Sequence, residues 1–165
     1  MLGVYGHLIF SKRSAVFFVL FLIVLVDQAT KWWILAVIMA PPSIIPLSNF
    51  FNLVLVMNPG VSFGIFGSGD WWVRWVLVIC ASILTVGLAV WMIKTKDRSL
   101  SLGLALIIGG AVGNLIDRIR FGAVVDFLDF HYQNWHWPAF NVADSAITLG
   151  VVIILIDSLC VRKSK

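Results

Sequence analysis

Length and composition indicate a protein that lies in a membrane. The chain has 165 residues, 61% of them hydrophobic and only 12% charged, and its mean hydropathy is +1.00. Soluble domains carry about 25% charged residues, so this composition argues against a soluble protein. The length allows one domain, residues 1–165, and leaves no room for a separate soluble catalytic domain. The net charge of +4 does not indicate nucleic-acid binding, because the basic residues lie at the ends of apolar stretches.

Four apolar stretches are long enough to cross a bilayer, which takes about 20 residues of α-helix. The first contains two charged residues, Asp27 and Lys31. We do not expect it to be a cleavable signal peptide, because it is too long and no small-x-small cleavage site follows it. The predicted transmembrane helices span residues 14–38, 71–93, 100–119 and 142–161.

Lys and Arg residues determine the predicted orientation of these helices, because they accumulate in cytoplasmic loops. They cluster before the first helix, between the second and third helices, and after the fourth helix. Residues 32–73 and 121–141 contain no Lys or Arg. We therefore expect both termini to be cytoplasmic and the connections 39–70 and 121–141 to be extracytoplasmic.

The two outer connections differ in composition. Residues Asn49–Met57 are rich in β-forming residues, and they are followed by turn-forming residues at Asn58–Gly60 and Gly64–Gly69. Residues Phe127–Trp137 are crowded with aromatic side chains, which favour the membrane–water interface. The predicted fold class is an all-α membrane protein of four transmembrane helices, with a small extracytoplasmic β-rich segment and a short interfacial helix or loop.

Charged residues inside membrane spans are costly and usually face the interior of a helix bundle. Asp27 and Lys31 are spaced i, i+4, so they lie on one helix face and can pair. The pair is interpreted as a structural ion pair, with substrate positioning or a direct catalytic role for Lys31 as the alternatives. In the third helix, Gly109 and Gly113 form a small-xxx-small ridge that favours close helix packing.

The outer end of the third helix carries three polar residues within five positions. Asn114 and Arg118 are spaced i, i+4, and Asp117 lies beside them. This is more polarity than membrane anchoring requires. The three side chains either satisfy one another as a network or present hydrogen-bond donors to a ligand, and the sequence leaves both interpretations open.

Two aspartates, Asp126 and Asp144, are predicted at the same depth near the outer surface. Asp126 lies just after the third helix, and Asp144 lies one turn into the fourth, for which Asn141 is a suitable N-cap. Two carboxyl groups in one low-dielectric site share a proton, and such a pair can activate water against a peptide carbonyl. From the residues alone, Asp117 and Asp129 remain alternatives, with Asp129 interpreted as a solvated surface charge.

The histidines do not support another type of peptidase site. His7 is near the N-terminus, and His131 and His136 belong to the aromatic outer segment. No His-Glu-x-x-His motif is present, so no metal site is predicted.

Two other functions fit the composition. A proton-coupled transporter or channel would use Asp27, Asp117 and Asp144 as relay carboxylates, but the charges lie near one face instead of through the full depth. A membrane scaffold would associate through the Gly109 and Gly113 ridge and would tolerate the loss of both outer aspartates.

Five ordered segments give the sequence a specific resemblance. They are Asp27-Gln28-Ala29-Thr30-Lys31, Asn58-Pro59-Gly60-Val61-Ser62-Phe63, Gly109 to Arg118, Val124-Val125-Asp126-Phe127 and Phe140-Asn141-Val142-Ala143-Asp144. Through them the chain resembles the lipoprotein signal peptidase (signal peptidase II) family from Asp27 to the fourth helix. One departure is Val61-Ser62, which stands where two alanines are common and makes fine substrate preference uncertain.

The resemblance implies an aspartic endopeptidase of the bacterial cytoplasmic membrane, with Asp126 and Asp144 as the catalytic pair. Such enzymes remove signal peptides from diacylglyceryl-modified prolipoproteins, cleaving before the lipidated cysteine at the outer face. The residues expected to bind substrate or inhibitor or to support the site are Asn58, Gly60, Asn114, Arg118, Asn141, Ala143, Asp27 and Lys31. The expected partners are these prolipoproteins, membrane lipid and globomycin-type inhibitors. No cofactor or metal is expected, and the protein is expected to work as a monomer.

Overall fold

The described residues form a bundle of four long helices with a small sheet at one end. The computed structural model describes residues 12–60 and 71–162. Helix α1 (Lys12–Trp33) continues into a short π-helix (Ile34–Ile38), and α2 (Trp71–Lys94), α3 (Arg98–Phe121) and α4 (Val142–Arg162) follow. All four are long and apolar enough to cross a membrane, which confirms the predicted fold class. The predicted turn at Gly64–Gly69 and the Val61-Ser62 departure lie outside the described residues.

Helix α3 is the centre of the bundle. Half of its most apolar 18-residue stretch is buried, compared with 11% to 17% in the other three helices, and it packs against all three of them. Its first turn is capped by Asp97, whose carboxylate accepts a hydrogen bond of 2.9 Å from the backbone N–H of Leu100. It ends at Gly122, which has a left-handed conformation with φ of 79°.

The sheet has four antiparallel strands in the order β1 (Ile45–Ser48), β2 (Phe51–Asn58), β3 (Val124–Tyr132) and β4 (Trp135–His136). Strand β3 begins two residues after the glycine that ends α3. It pairs with β2 so that Asn58 lies opposite Val124 and Val56 lies opposite Asp126. The sheet therefore lies at the end of the bundle where α3 ends and α4 begins.

Within the second outer connection, where the sequence predicts a short interfacial helix or loop, residues 124–132 and 135–136 form β-strands and most of the remainder is turn or loop. Residues 124–127 are buried in succession, so the segment lacks the alternating pattern that identifies a half-exposed strand. Its β-branched and aromatic side chains favour a strand once a partner is available. Strand β2 supplies that partner, and pairing satisfies the backbone groups of both strands.

The predicted solvated charge at Asp129 is also wrong, since this residue is only 5% exposed. Its carboxylate accepts a hydrogen bond of 2.9 Å from the Asn52 side-chain amide and lies 2.9 Å from Nδ1 of His136. Burial alone would raise the pKa of Asp129. The hydrogen bonds from His136 and Asn52, together with the charges of His136 and His131, hold that pKa below its ordinary value.

The small-residue ridge of α3 packs against α1. A Cβ atom added at Gly109 would lie 3.0 Å from the Cβ atom of Ile23 and 3.0 Å from the carbonyl oxygen of Leu20. A Cβ atom at Gly113 would collide with the Oδ2 atom of Asp27. The predicted packing role of the two glycines is confirmed, and Gly113 also makes room for a buried charge.

We expect Gly113→Ala to lower the free energy of unfolding by about 1–3 kcal/mol, because the added methyl group overpacks the contact with Asp27. Gly87→Ala in α2 is the matched control, since nothing lies within 4 Å of its Cβ position. That control should be neutral or stabilising, by up to about 1 kcal/mol. Unfolding in detergent micelles measures both variants, and equal stability of the two would contradict this packing account.

Candidate active site

A cluster of buried charges lies between α1 and α3. The Lys31 ammonium group is 2.9 Å from Oδ2 of Asp27 and 2.8 Å from Oδ2 of Asp117, and all three side chains are at most 2% exposed. Lys31 also donates a hydrogen bond of 3.0 Å to Oδ1 of Asn114. The predicted pairing of Asp27 with Lys31 therefore forms, and it is part of a larger buried network.

This network joins the elements that surround the site. The backbone N–H of Ala143 in α4 donates to Asp27 over 2.9 Å, and the backbone N–H of Val125 in β3 donates to Asp117 over 3.1 Å. Gln28 adds a side-chain hydrogen bond of 2.9 Å to Asp117. Of the two interpretations left open for Asp117, the structure supports a network. Gln28 was not predicted as a site residue, although a polar side chain inside a span is a signal that could have identified it.

The first turn of α4 fixes the position of Asp144. The Asn141 side-chain oxygen accepts a hydrogen bond of 2.9 Å from the Asp144 backbone N–H. In return, Oδ2 of Asp144 accepts one of 3.2 Å from the Asn141 backbone N–H. This reciprocal arrangement is a capping box with Asp at its third helical position, and it confirms the predicted N-cap. Asn114 donates a third hydrogen bond, of 2.8 Å, to Oδ1 of Asp144.

The buried carboxyl group of Asp126, 1% exposed, is held by strands β2 and β3 and by Asn141. Asn58, at the end of β2, donates a hydrogen bond of 2.9 Å to its Oδ2 atom. Asn141 donates one of 2.7 Å to its Oδ1 atom. Asn141 thus contacts Asp126 through its side chain and Asp144 through both its side chain and its backbone, so the fold brings the two predicted carboxylates together.

The orientation of each asparagine amide follows from what contacts its oxygen. The Asn58 oxygen accepts a hydrogen bond of 2.9 Å from the Gly60 backbone N–H, and the Asn114 oxygen accepts one from Lys31. The Asn141 oxygen accepts from a backbone N–H of the first turn of α4. Backbone N–H and ammonium groups only donate, so each amide must turn its NH₂ group toward a carboxylate of the pair.

The pKa of Asp126 is raised to about 6 from the ordinary value of 3.8. Burial is the largest cause, because it disfavours the charged carboxylate. The hydrogen bonds from Asn58 and Asn141 and the positive charge of Lys31 oppose this effect, whereas the nearby negative charge of Asp144 adds to it. Asp126 therefore retains its proton at a higher pH than an ordinary aspartate does.

Arg118 and Gly60 lie beside the pair. Gly60 has φ of 82°, and a Cβ atom there would lie 3.3 Å from the Nη2 atom of Arg118. The charge of Arg118 interacts with those of Asp144 and Asp126. Among the described residues, no group accepts a hydrogen bond from its buried Nε atom. A positively charged group with unused donor capacity is therefore next to the two carboxyl groups.

Asp144 also lines an open groove of about 710 Å³ between α4 and the sheet. On one side the groove is formed by Thr148, Leu149 and Val152, and on the other by Trp135, Trp137 and Phe140. Most of this surface is apolar. An apolar segment could therefore reach the half-buried carboxyl group of Asp144 from the side of the bundle.

The described residues thus define a membrane protein of four helices with two carboxyl groups, one buried and one half-buried, joined through Asn141 at one end of the bundle. The sequence model of the family described as Signal peptidase (SPase) II matches residues 19–160. A lipoprotein signal peptidase of Polynucleobacter necessarius is 45% identical over 149 residues, covering 87% of this chain and 86% of that protein. One of Desulforapulum autotrophicum is 47% identical over 137 residues, covering 81% and 85%.

Two solved structures of bacterial membrane enzymes are similar to this chain in fold. A bacterial membrane enzyme solved by the in meso method at 2.3 Å resolution has a TM-score of 0.78 and 30% identity, covering 92% of this chain and 91% of that chain. A second, at 1.9 Å resolution, has a TM-score of 0.75 and 31% identity, covering 88% and 92%. The chain belongs to the signal peptidase II family. It is therefore a peptidase and a multi-pass bacterial membrane protein.

We expect Lys31→Met to lower the free energy of unfolding by about 3–5 kcal/mol, because it leaves Asp27 and Asp117 as buried carboxylates without a cation. The triple variant Asp27→Asn, Lys31→Met, Asp117→Asn removes all three charges together and should be more stable than Lys31→Met alone. Unfolding in micelles at neutral pH measures both. If the triple variant is less stable than Lys31→Met, unpaired buried charge is not the cause of the destabilisation in Lys31→Met.

Proposed function

We propose that this protein is an aspartic endopeptidase that removes signal peptides from diacylglyceryl-modified prolipoproteins, with Asp126 and Asp144 as its catalytic residues. The observation that carries the proposal is the contact of Asn141 with both carboxyl groups, over 2.7 Å and 3.2 Å, in a buried site. Membership of the family supports the substrate class, because relatives at 45% and 47% identity are named lipoprotein signal peptidases.

In the proposed reaction one carboxyl group acts as an acid and the other as a base. Ionised Asp144 accepts a proton from a water molecule as the water oxygen attacks the scissile carbonyl carbon. Protonated Asp126, whose pKa is raised to about 6, gives its proton to the carbonyl oxygen. The tetrahedral intermediate then collapses. Asp144 gives its proton to the departing amine, and Asp126 recovers one from the intermediate.

The polar groups around the pair support this division of roles. The asparagine amides donate hydrogen bonds to the carboxylate oxygens of the pair, so they hold the two side chains in fixed positions without supplying a competing base. The positive charge of Arg118 beside the pair can stabilise the negative charge that develops on the carbonyl oxygen. Both effects are strongest in a site that is shielded from water.

The groove beside Asp144 provides a route for a substrate from the bilayer. Its wall on α4 carries Thr148, Leu149 and Val152, which suits an apolar peptide or an acyl chain. Backbone carbonyls of a helix within the bilayer are already hydrogen-bonded, and cleavage near the interface lets the peptide unwind where water is available. In this proposal the interface is the extracytoplasmic one, with cleavage before the lipidated cysteine. A globomycin-type inhibitor would occupy the same site, and a monomer would suffice, because one chain supplies every residue named.

We expect Asp126→Asn and Asp144→Asn each to reduce cleavage of a lipidated precursor by about 10²–10⁴-fold, because each removes one acid or base from the pair. Asp129→Asn is the matched control, since Asp129 lies on the same strand as Asp126 but bonds to Asn52 and His136 instead. A gel assay that separates precursor from mature lipoprotein measures all three variants.

The control should retain most of its activity, and both active-site variants should still insert into the membrane. Full activity of either active-site variant would contradict the assignment of Asp126 and Asp144 as the catalytic pair. Loss of activity in Asp129→Asn alone would instead identify Asp129 as a catalytic residue.

We expect kcat/KM to fall as the pH rises through about 6, because Asp126 then loses the proton that the reaction needs. Asn58→Ala removes a hydrogen bond that lowers this pKa, so it should move the alkaline limb of the profile to higher pH. Asn52 lies on the same strand, but its side chain donates to Asp129 and not to the pair. The control variant Asn52→Ala should therefore leave the alkaline limb in place. A limb that stays fixed, or moves to lower pH, in Asn58→Ala would contradict the assignment of the proton to Asp126.

A further inference from the structure

A second cavity lies at the opposite end of the bundle from Asp126 and Asp144. It has a volume of about 340 Å³ and is formed by the start of α1, the end of α2 and the start of α3. The candidate active site lies where α3 ends and α4 begins, so the cavity is at the other membrane face. The proposed peptidase reaction does not use it.

The floor of the cavity is apolar. It is lined by Val16 and Phe17 from α1 and by Met92 and Ile93 from α2. Met92 is 6% exposed and packs in the core, whereas Phe17 and Ile93 are 51% and 54% exposed on the outside of the bundle. The cavity therefore extends from the core to the helix surface that a lipid chain would contact.

The rim of the cavity is polar and positively charged. It carries Thr95, Lys96, Arg98 and Ser101. Lys96 and Arg98 are exposed, and within residues 12–60 and 71–162 neither forms a salt bridge. The intervening Asp97 is the N-cap of α3, where its carboxylate accepts from a backbone N–H. Two cations thus face the mouth of an apolar cavity, and none of the described residues that line it is acidic.

We propose that this cavity binds one anionic phospholipid, with its phosphate between Lys96 and Arg98 and an acyl chain against Val16 and Met92. Basic pockets between transmembrane helices bind anionic headgroups, and the cavity volume is within the range of small-molecule sites. A zwitterionic lipid would bring, together with its phosphate, a positively charged amine that the two cations of the rim repel. A free phosphate ion would leave the apolar floor in contact with water. The amphipathic anion satisfies both parts, and the proposal does not depend on the peptidase function.

Native mass spectrometry of the full-length protein tests this, with phosphatidylglycerol and phosphatidylcholine of identical acyl chains as the probes. We expect one phosphatidylglycerol to be retained about tenfold more strongly than phosphatidylcholine. Lys96→Gln and Arg98→Gln should each weaken its retention about fivefold, as expected for the loss of one basic residue near a lipid surface. Arg98→Lys keeps the charge and should retain the lipid. Lys94→Gln is the matched control, because Lys94 lies in the same region but does not line the cavity.

Three results would overturn the proposal. Equal retention of both lipids would mean that the cavity holds an acyl chain or detergent without headgroup recognition. An equal loss in Lys94→Gln would mean that the lipid responds to the overall charge of this face and not to the cavity. Unchanged phosphatidylglycerol retention in both Lys96→Gln and Arg98→Gln would place the lipid elsewhere. Thermal unfolding in phosphatidylcholine alone checks that every variant is folded.

Discussion

The ion cluster of Lys31 is the interaction on which the rest of the structure depends. A charged side chain in a membrane span carries a free-energy cost, about 2.5–3.5 kcal/mol at the helix centre on insertion scales. The ammonium group has three N–H donors, and Asp27, Asp117 and Asn114 each accept one, over 2.9 Å, 2.8 Å and 3.0 Å. Because two of these acceptors lie on α3 and one lies on α1, satisfying Lys31 fixes the depth and rotation of α1 against the central helix.

The same acceptors position the carboxyl pair. The two carboxylates of the cluster also accept hydrogen bonds from the backbone N–H groups of Ala143 and Val125. Ala143 directly precedes Asp144, and Val125 directly precedes Asp126. The third acceptor is an asparagine whose amide donates to Asp144. A displacement of the lysine would therefore move both members of the pair, although it touches neither. This explains why a structural ion pair and a candidate active site coincide in one small bundle.

Local sequence patterns predict local structure well in this chain and distant contacts poorly. Hydropathy gives the four helices, and the i, i+4 spacing gives the pairing of Asp27 with Lys31, because both depend on neighbouring residues. Pairing of β2 with β3 joins Asn58 to Val124, and no local pattern encodes which distant segment completes a sheet. The aromatic composition of β3 therefore suggested an interfacial element. Asp117 stayed ambiguous for the same reason, since its partners lie on α1 and β3. The five ordered motifs named the residues of the site, but only the fold explains their hydrogen bonds.

Charge balance favours a proton on the carboxyl pair. Four carboxyl groups face two basic side chains in the buried region, and Lys31 is fully engaged with Asp27 and Asp117. Arg118 is the remaining cation beside the pair. If the pair carries one proton, its single negative charge is balanced by Arg118. A second ionisation would leave an unbalanced charge on or beside the buried carboxyl group of Asp126, which is costly. The pKa of Asp126 is raised accordingly, by its burial and by the negative charge of Asp144. In the proposed function, a substrate that fills the groove would exclude more water and strengthen the retention of the proton, so binding itself would prepare the pair for the proposed acid–base catalysis.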